Sequence, residues 1–393
     1  MRDVSEDEAS NQADDLRDAL EISLGFTFSQ GNRIEVLRNG DEIFPAMLSA
    51  ISQANQTIEF LTFVYWSGNI AVKFAKALAR RAEDGLEVKV LLDAFGAAKV
   101  DRALVKEMRD AGVEVRWFRP LKWWRLGGNN ERTHRKLLIC DGCIGFTGGV
   151  GIAAEWEGNA RNPSEWRDTH FRVEGAAVPV LRSAFVGNWA EDYRWKGAGT
   201  LRAPNQPEPG SVDVLVVRSV ASQHWSDIAT AMRPLLHHTR ERLRITTPYF
   251  VPDEALCQAL MDISSQGANV QVLTSGKYND HPAVRWAGQR YYSKLLAAGV
   301  EILEYHHTML HAKVITIDGV WCCVGSANFN QRSLGKDDEV CLICADHGLV
   351  SELDSDFDSD CSQAKKIDRA TWQRRGWVQK SKEQLARLID SHL

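Results

Sequence analysis

HRKLLICDGCIGFTGGVG (134–151) and HAKVITIDGVWCCVGSAN (311–328) are one phrase written twice. His134, Lys136, Asp141 and Gly148 return as His311, Lys313, Asp318 and Gly325, each 177 positions later. Two copies in register imply a duplicated domain, and a phrase centred on His and Lys implies duplicated chemistry. The His and Lys of each copy are two residues apart, which on a strand places both side chains on one face. Two such half-sites brought together would set a pair of histidines and a pair of lysines around one substrate. That set suits a phosphodiester.

The flanking sequence repeats the same order of elements. In the first half the apolar spacing predicts a helix over 42–55, a strand over 56–66, a helix over 69–84, a strand over 86–93, a helix over 100–111 and a strand over 113–118. The motif follows as a hairpin turning at Asp141-Gly142. The second half reads helix 226–240, strand 242–250, helix 253–266, strand 268–274, helix 283–298, strand 300–305, then a motif turning at Asp318-Gly319. Strands alternating with helices argue for α/β layers, with helices on both faces of a mixed sheet. The Gly- and Pro-rich segment 196–211 has no apolar period and reads as the connection, with a linker at 201–211 between domains at 26–200 and 212–393.

Composition narrows the class. The 393 residues suffice for two domains with full cores. A net charge of −5 argues against a non-specific nucleic-acid binder. No apolar run is long enough to span a bilayer. The acidic start (MRDVSEDEASNQADD) is the opposite of a signal peptide, and residues 1–25 read as a disordered leader. The expected location is therefore cytoplasmic, at most peripheral on the inner face of the cell membrane. Cys140 and Cys143, and Cys341 and Cys344, form CxxC pairs that would suit zinc. Their setting in apolar β-type runs favours buried packing instead.

One difference separates the halves. AGVEV (111–115) aligns with AGVEI (298–302) at a larger offset than the motifs do, so the first half carries ten extra residues just before His134. They fall within FRPLKWWRLGGNNERT (118–133), a basic and aromatic stretch. It reads either as a surface loop or as an interfacial anchor, with Trp123, Trp124 and Arg125 at the mouth of the site.

The residue types define the chemistry. Lysine is not an ordinary metal ligand, and no zinc-hydrolase spacing occurs, so the reading asks for no metal and no cofactor. Lys136 and Lys313 serve better as positive charges on non-bridging phosphate oxygens. One histidine would attack phosphorus and the other protonate the leaving alkoxide. Gly148, Gly149 and Gly325 permit close backbone approach to an anion, and Ser326 and Asn328 offer polar contacts to phosphate. Asp141 and Asp318, though part of the repeated catalytic phrase, sit at turns on the opposite strand parity and read as support residues.

These residues match the HxKxxxxD signature of the phospholipase D superfamily, and the chain most resembles bacterial cardiolipin synthases and soluble phospholipase D-like proteins. WRDTHFRVEG (166–175), NFNQRSLGKDDEV (328–340) and the run 278–313 extend the likeness over most of the chain. The resemblance implies two similar α/β/α sandwich domains related by a pseudo-two-fold axis, with the active site at their interface and a phosphohistidine intermediate. It implies His134 as nucleophile, His311 as acid and then base, and Asp168 and Glu339 as carboxylates orienting the histidines. Gly151 departs from the family's usual Asn, which puts one phosphate contact in doubt. The membrane spans of longer cardiolipin synthases are absent, which implies peripheral binding to the bilayer.

The function implied is transfer of a phosphatidyl group to an alcohol, such as the glycerol headgroup of phosphatidylglycerol. Transfer to water would make the protein a phospholipase D. A nuclease on the same scaffold is the alternative, with Trp123 or Trp124 stacking on a single strand, and an inactive binding protein ranks last because both His/Lys pairs are intact.

Overall fold

The structure, a computed structural model, describes residues 4–120, 131–191, 208–223 and 225–386. The chain begins with α1 (Val4–Leu24), β1 (Ser29–Arg38), α2 (Asn39–Gln53), β2 (Thr57–Thr62), α3 (Asn69–Glu83), β3 (Glu87–Asp93), α4 (Arg102–Asp110) and β4 (Glu114–Phe118). The first hairpin, β5 (Leu137–Cys140) and β6 (Ile144–Gly148), is followed by β7 (Thr169–Glu174) and α5 (Ala177–Ala190). The second half opens with β8 (Val212–Val220), a short β9 (Trp225–Ser226), α6 (Asp227–His237), β10 (Arg242–Thr247), α7 (Glu254–Ser265) and β11 (Asn269–Ser275). Then come α8 (Pro282–Gln289), α9 (Tyr292–Ala297), β12 (Glu301–Tyr305), the second hairpin β13 (Val314–Ile317) and β14 (Trp321–Gly325), α10 (Gln331–Gly335) and β15 (Val340–Ala345). The described chain closes with α11 (His347–Ser362), β16 (Ala364–Lys366), α12 (Arg369–Gln373) and α13 (Trp377–Ala386).

The duplication is complete at the level of topology. The first half orders its strands β1-β7-β6-β5-β2-β3-β4, and the second orders the corresponding strands β8-β15-β14-β13-β10-β11-β12, with β16 added at the edge. In each half three strands run parallel and the motif hairpin is antiparallel to the first of them. The halves are not merely apposed. β1 pairs antiparallel with β8, Ser29 opposite Val214 and Asn32 opposite Val212, so one continuous sheet runs through both. Neither strand was predicted; the polar residues of β1 interrupt its apolar alternation, whereas β8 (VDVLVVRSV) carried a legible β-type run just after the linker.

Three large cores follow from this sheet. α2 and α3 cover one face of the first half with Ile43, Phe44, Met47, Phe74 and Leu78. α6 and α7 cover the equivalent face of the second half with Ile228, Met232, Leu236, Cys257 and Leu260. On the opposite face, α5 and α11 bury Leu181, Phe185, Val350 and Leu353 against strands of both halves, so this core is shared. Burial on that scale makes the halves one mechanical unit.

Both hairpins turn as expected. Asp141 (φ 53°) and Gly142 (φ 64°), like Asp318 (φ 51°) and Gly319 (φ 71°), are left-handed at the two central positions, the backbone a type I′ turn demands. All eight cysteines are free. Cys341 and Cys344 stand on β15, Cys322 faces Cys344 across the ladder, and all pack as core side chains rather than in a zinc site.

Two expectations are corrected. The segment read as a disordered leader forms α1. Leu16, Leu20 and Leu24 make an i, i+4, i+8 stripe buried in the second-half core, Arg17 pairs with Asp213, and the Glu21 carboxylate accepts the Phe28 N–H at 2.9 Å. The acidic residues that suggested disorder obscured that stripe. The helix expected over 283–298 is two, α8 and α9. The break follows Gly288, where a Cβ would lie 2.1 Å from the Phe250 carbonyl oxygen, so the chain is pinned there. Of the linker, residues 208–211 lead into β8, and 192–207 lie outside the described residues.

Candidate active site

Each motif histidine precedes the first strand of its hairpin, held by a short parallel bridge to the other half. Thr133 bridges Asp338 and Leu310 bridges Arg167. The His134 N–H donates to Asp338 O at 2.9 Å, and the His311 N–H donates to Arg167 O at 2.7 Å. Every histidine is thus positioned by backbone belonging to the opposite half.

The side chains cross over in the same way. His134 Nδ1 lies 2.9 Å from Glu339 Oε1 and 3.1 Å from Ser326 O. Both neighbours are acceptors, so Nδ1 carries the proton and Nε2 presents its lone pair. His311 Nδ1 lies 2.8 Å from Asp168 Oδ2, with the same consequence. The two carboxylates singled out from the resemblance each contact a motif histidine, and the contacts cross between halves: Asp168 of the first half meets the second histidine, and Glu339 of the second half meets the first.

Buried arginines hold the backbone of the two carboxylate residues. The Arg135 guanidinium donates to Glu339 O at 3.1 Å, and also to Ala184 O, Asn188 Oδ1 and Ser219 O. Arg167 donates to Asp168 O at 2.7 Å and pairs with Asp360 at 3.0 Å. Burial pushes Arg135 down to about 10, which leaves it charged at neutral pH.

The lysines complete the cluster. Lys136 Nζ donates to His134 O at 2.7 Å, and Lys313 Nζ lies within 3.2 Å of both ring nitrogens of His311. Burial lowers Lys136 to about 7 and Lys313 to about 8, with the Lys313 charge adding to the effect on Lys136. Burial, with Lys313 beside it, lowers His311 to about 4. His134 is also lowered, by burial and by the charges of both Lys136 and Lys313, which outweigh Glu339. The contacts of His134 with Ser326 and Glu339, and of His311 with Asp168, bring the two half-sites together. Burial alone would raise Asp168 and Glu339, but the histidines and lysines outweigh it and hold both carboxylates low. The site thus groups two neutral imidazoles, two carboxylates and two lysines whose cationic form an incoming phosphate would favour.

Other residues singled out from sequence take different places. Asp141 and Asp318 lie at the far ends of the hairpins, away from the histidines. The Asp141 carboxylate accepts the N–H groups of Asn55, Gln56 and Thr57, and Asp318 those of Arg240, Glu241 and Arg242, at 2.7–2.9 Å. They tie each hairpin to the start of β2 or β10 and touch no reacting group. Gly149 and Ser326 stand behind the carboxylates rather than open to phosphate. A Cβ at Gly149 would sit 2.1 Å from Asp168 Oδ1, and the Ser326 hydroxyl donates to Glu339 and accepts from Val340 N. Asn328 donates to Ser333 Oγ at 3.2 Å, and its buried Oδ1 has no partner among the described residues. Trp123, Trp124 and Arg125 lie outside the described residues.

Trp156 went unnoticed in the sequence. Its indole Nε1 donates at 2.8 Å to Asp168 Oδ2, the same oxygen that holds His311. A Cβ on Gly151 would meet Val64 at 2.7 Å and the Trp156 ring at 3.2 Å. Val64 first, and the Trp156 ring beside it, thus take the space that a side chain at Gly151 would need. The rings of Trp156, Trp166 and Tyr249 surround His311 at 5.3, 5.5 and 6.3 Å, and the Tyr249 hydroxyl donates to Asp280 at 2.7 Å. His170 was also missed as an individual residue. It is buried beside Asp168 and Lys136 with both ring nitrogens unpartnered among the described residues, and burial lowers it to about 4.

Among the described residues no helix is long and apolar enough to cross a membrane, and no three His, Cys, Asp or Glu side chains cluster as a metal site would require.

Comparison with known proteins agrees with this geometry. The family described as cardiolipin synthase, phospholipase D-like domain, matches residues 47–159 and 232–361, one stretch in each half. A cardiolipin synthase of Oceanobacillus iheyensis is 32% identical over 362 residues, covering 92% of this chain and 75% of that protein. The major cardiolipin synthase of Bacillus subtilis is 31% identical over 366 residues, covering 92% and 76%. In structure, a phosphatidylserine synthase from Haemophilus influenzae superposes with a TM-score of 0.73 at 15% identity, covering 96% of this chain and all of that one. A polyphosphate kinase from Porphyromonas gingivalis superposes at 0.58 and 13% identity, covering 92% of this chain and 54% of that one. These two likenesses speak to the fold.

Proposed function

The chain belongs to the phospholipase D-like cardiolipin synthase family, and from that premise we propose that it is a phosphatidyltransferase acting on phosphatidylglycerol. The observation that carries the reading is the crossed pair of His–carboxylate contacts, 2.9 Å and 2.8 Å, around two buried lysines.

In the first step His134 Nε2 attacks phosphorus, and the bond from phosphorus to the glycerol headgroup oxygen breaks. His311, which enters this step as the imidazolium that Asp168 and the bound phosphate favour, gives its Nε2 proton to that oxygen and is left neutral, so glycerol leaves and a phosphatidyl group remains on His134. In the second step a glycerol hydroxyl of another phosphatidylglycerol loses its proton to His311 and attacks phosphorus. The P–N bond breaks, cardiolipin leaves and His134 is restored. Lys136 and Lys313 neutralise the non-bridging oxygens throughout. Assigning attack to His134 is supported by access: its side chain is 13% exposed against 6% for His311.

Transfer rather than hydrolysis is favoured by the rings around His311. A base enclosed by Trp156, Trp166 and Tyr249 leaves little room for a free water beside the phosphorus. We further propose that the protein works peripherally at the inner face of the cell membrane, with Trp123, Trp124 and Arg125 at the interface.

Purified protein incubated with phosphatidylglycerol vesicles in EDTA should yield cardiolipin and glycerol in equal amounts. Phosphatidic acid without cardiolipin would identify a hydrolase instead. Release of nucleotides from single-stranded DNA, with no lipid product, would overturn the reading.

A further inference from the structure

The duplication provides an internal control for every position, and it exposes a site in the second half that the first lacks. Between α2 and α3 the gap is closed by Phe44 and Phe74, whose rings meet edge to face at 6.0 Å. Ile43, Met47 and Ile51 of α2 correspond to Ile228, Met232 and Leu236 of α6, all buried. By that register Ala229 stands where the first half has Phe44. α7 is also shorter than α3, 12 residues against 15. The result is an open groove of about 900 Å³ between α6 and α7, near the upper end of ligand pockets, which span roughly 300–1,000 Å³.

The groove is two-sided in chemistry. Its floor is Met232, Leu236, Leu256 and Ile263. One rim is Arg233, His237 and Arg240, exposed and spaced along one face and the end of α6. The acidic side chains of the facing wall are already engaged, Asp253 capping the Leu256 N–H and Asp262 accepting from Gln258. An apolar trough beside a row of cations is complementary to an amphiphile with one long chain and an anionic head.

We propose that the α6–α7 groove binds one acyl chain of an anionic phospholipid, with its phosphate held by Arg233 and Arg240, as a lipid site separate from the catalytic pair. The choice of an anionic phospholipid rests on the proposed substrate class. The groove does not deliver substrate chains to the histidines. Met232 and Leu334 close its inner wall, and the space behind them, which reaches Lys313 and Asn328, is only about 20 Å³, hardly more than one water occupies.

The test is photolabelling with phosphatidylglycerol carrying a diazirine in one acyl chain, incorporated in vesicles, followed by peptide mapping. Label is expected on the 227–237 and 254–265 peptides. Ala229→Phe, which restores the first half's own residue, should cut that label at least tenfold while leaving cardiolipin formation from dispersed short-chain phosphatidylglycerol unchanged. Arg233→Glu with Arg240→Glu, a surface change that spares the packing, should cut label from phosphatidylglycerol but not from a phosphatidylcholine probe. Label insensitive to both variants, or cross-links between two copies of the protein in its place, would overturn the proposal. A diazirine fatty acid that labels as strongly as the phospholipid would also overturn it, in favour of a free fatty acid site. Failure of the short-chain assay in the unmodified protein would refute the catalytic reading and leave the labelling result standing on its own.

Discussion

His134 and Glu339 lie 205 residues apart in the chain and 2.9 Å apart at the site, in different halves of the molecule. His311 and Asp168 repeat the relationship in reverse at 2.8 Å. Neither half contains a complete histidine–carboxylate pair. Each supplies the imidazole for one and the carboxylate for the other, so the catalytic unit exists only where the continuous sheet holds both.

Substituting the carboxylates should therefore affect the opposite half's chemistry. Glu339→Gln is expected to slow formation of the phosphatidyl-enzyme, because it removes the partner of His134. Asp168→Asn is expected to slow steps that need proton transfer by His311. Each should lower kcat by about 10²–10⁴-fold, measured in single-turnover experiments with trapping of labelled phosphatidyl on His134. Label appearing on His311 would reverse the roles.

Trp156→Phe should keep the ring and remove the donor to Asp168. A hydrogen bond to a charged acceptor is worth about 1.5–3 kcal/mol, so a fall in kcat of roughly tenfold or more is expected. With that donor gone, the carboxylate acts more strongly on His311, whose titration should move upward. NMR of the His311 ring protons reads this directly, and an unmoved titration would reduce Trp156 to a packing residue.

The pH profile should show an early alkaline limb. Burial lowers Lys136 to about 7 and Lys313 to about 8 in the free enzyme, and only the protonated amines attract phosphate. As pH rises through those values kcat/KM should fall, and bound substrate, by favouring the cations, should shift the limb in kcat to higher pH. A free-enzyme limb near 10 would contradict the burial argument.

Asp141→Ala and Asp318→Ala should behave as stability variants. Each leaves three backbone N–H groups without their acceptor, at an expected cost of about 1–3 kcal/mol in denaturant unfolding. Turnover per folded molecule should remain within about twofold. A large drop in kcat at unchanged stability would return these residues to the catalytic set.

Gly149→Ala should disable the site from behind. The new methyl would press on the Asp168 carboxylate, displacing it from His311, and activity should fall to near background while the fold persists in circular dichroism. The equivalent Ser326→Ala has room, and loses the hydroxyl's bonds to Glu339 and to the Val340 N–H without displacing the carboxylate, so its effect should be far smaller.

Much of this was legible in the residues. Repetition of His, Lys, Asp and Gly gave the duplication, and the alternation of apolar runs gave most strands and helices. The resemblance implied Asp168 and Glu339 as carboxylates for the histidines, but which carboxylate meets which histidine could not be read from their positions in the chain. α1 was hidden by its acidic face, and Trp156 carried no repeated counterpart to draw notice. Asp141 and Asp318 recur with the histidines but were legible as support residues from their turn positions, and each accepts three backbone N–H groups at its hairpin end.

The linear order of residues by itself determined the twofold plan and the kind of chemistry, because periodicity and residue type are local properties. Which carboxylate meets which imidazole, what fills the place of the missing asparagine at Gly151, and why only one half keeps an open groove were decided by tertiary structure. The two histidine–carboxylate pairs span 205 and 143 residues and are set by the path β15-β8-β1-β7 that joins the halves, while the other two depend on the volumes of side chains that meet only after the chain folds.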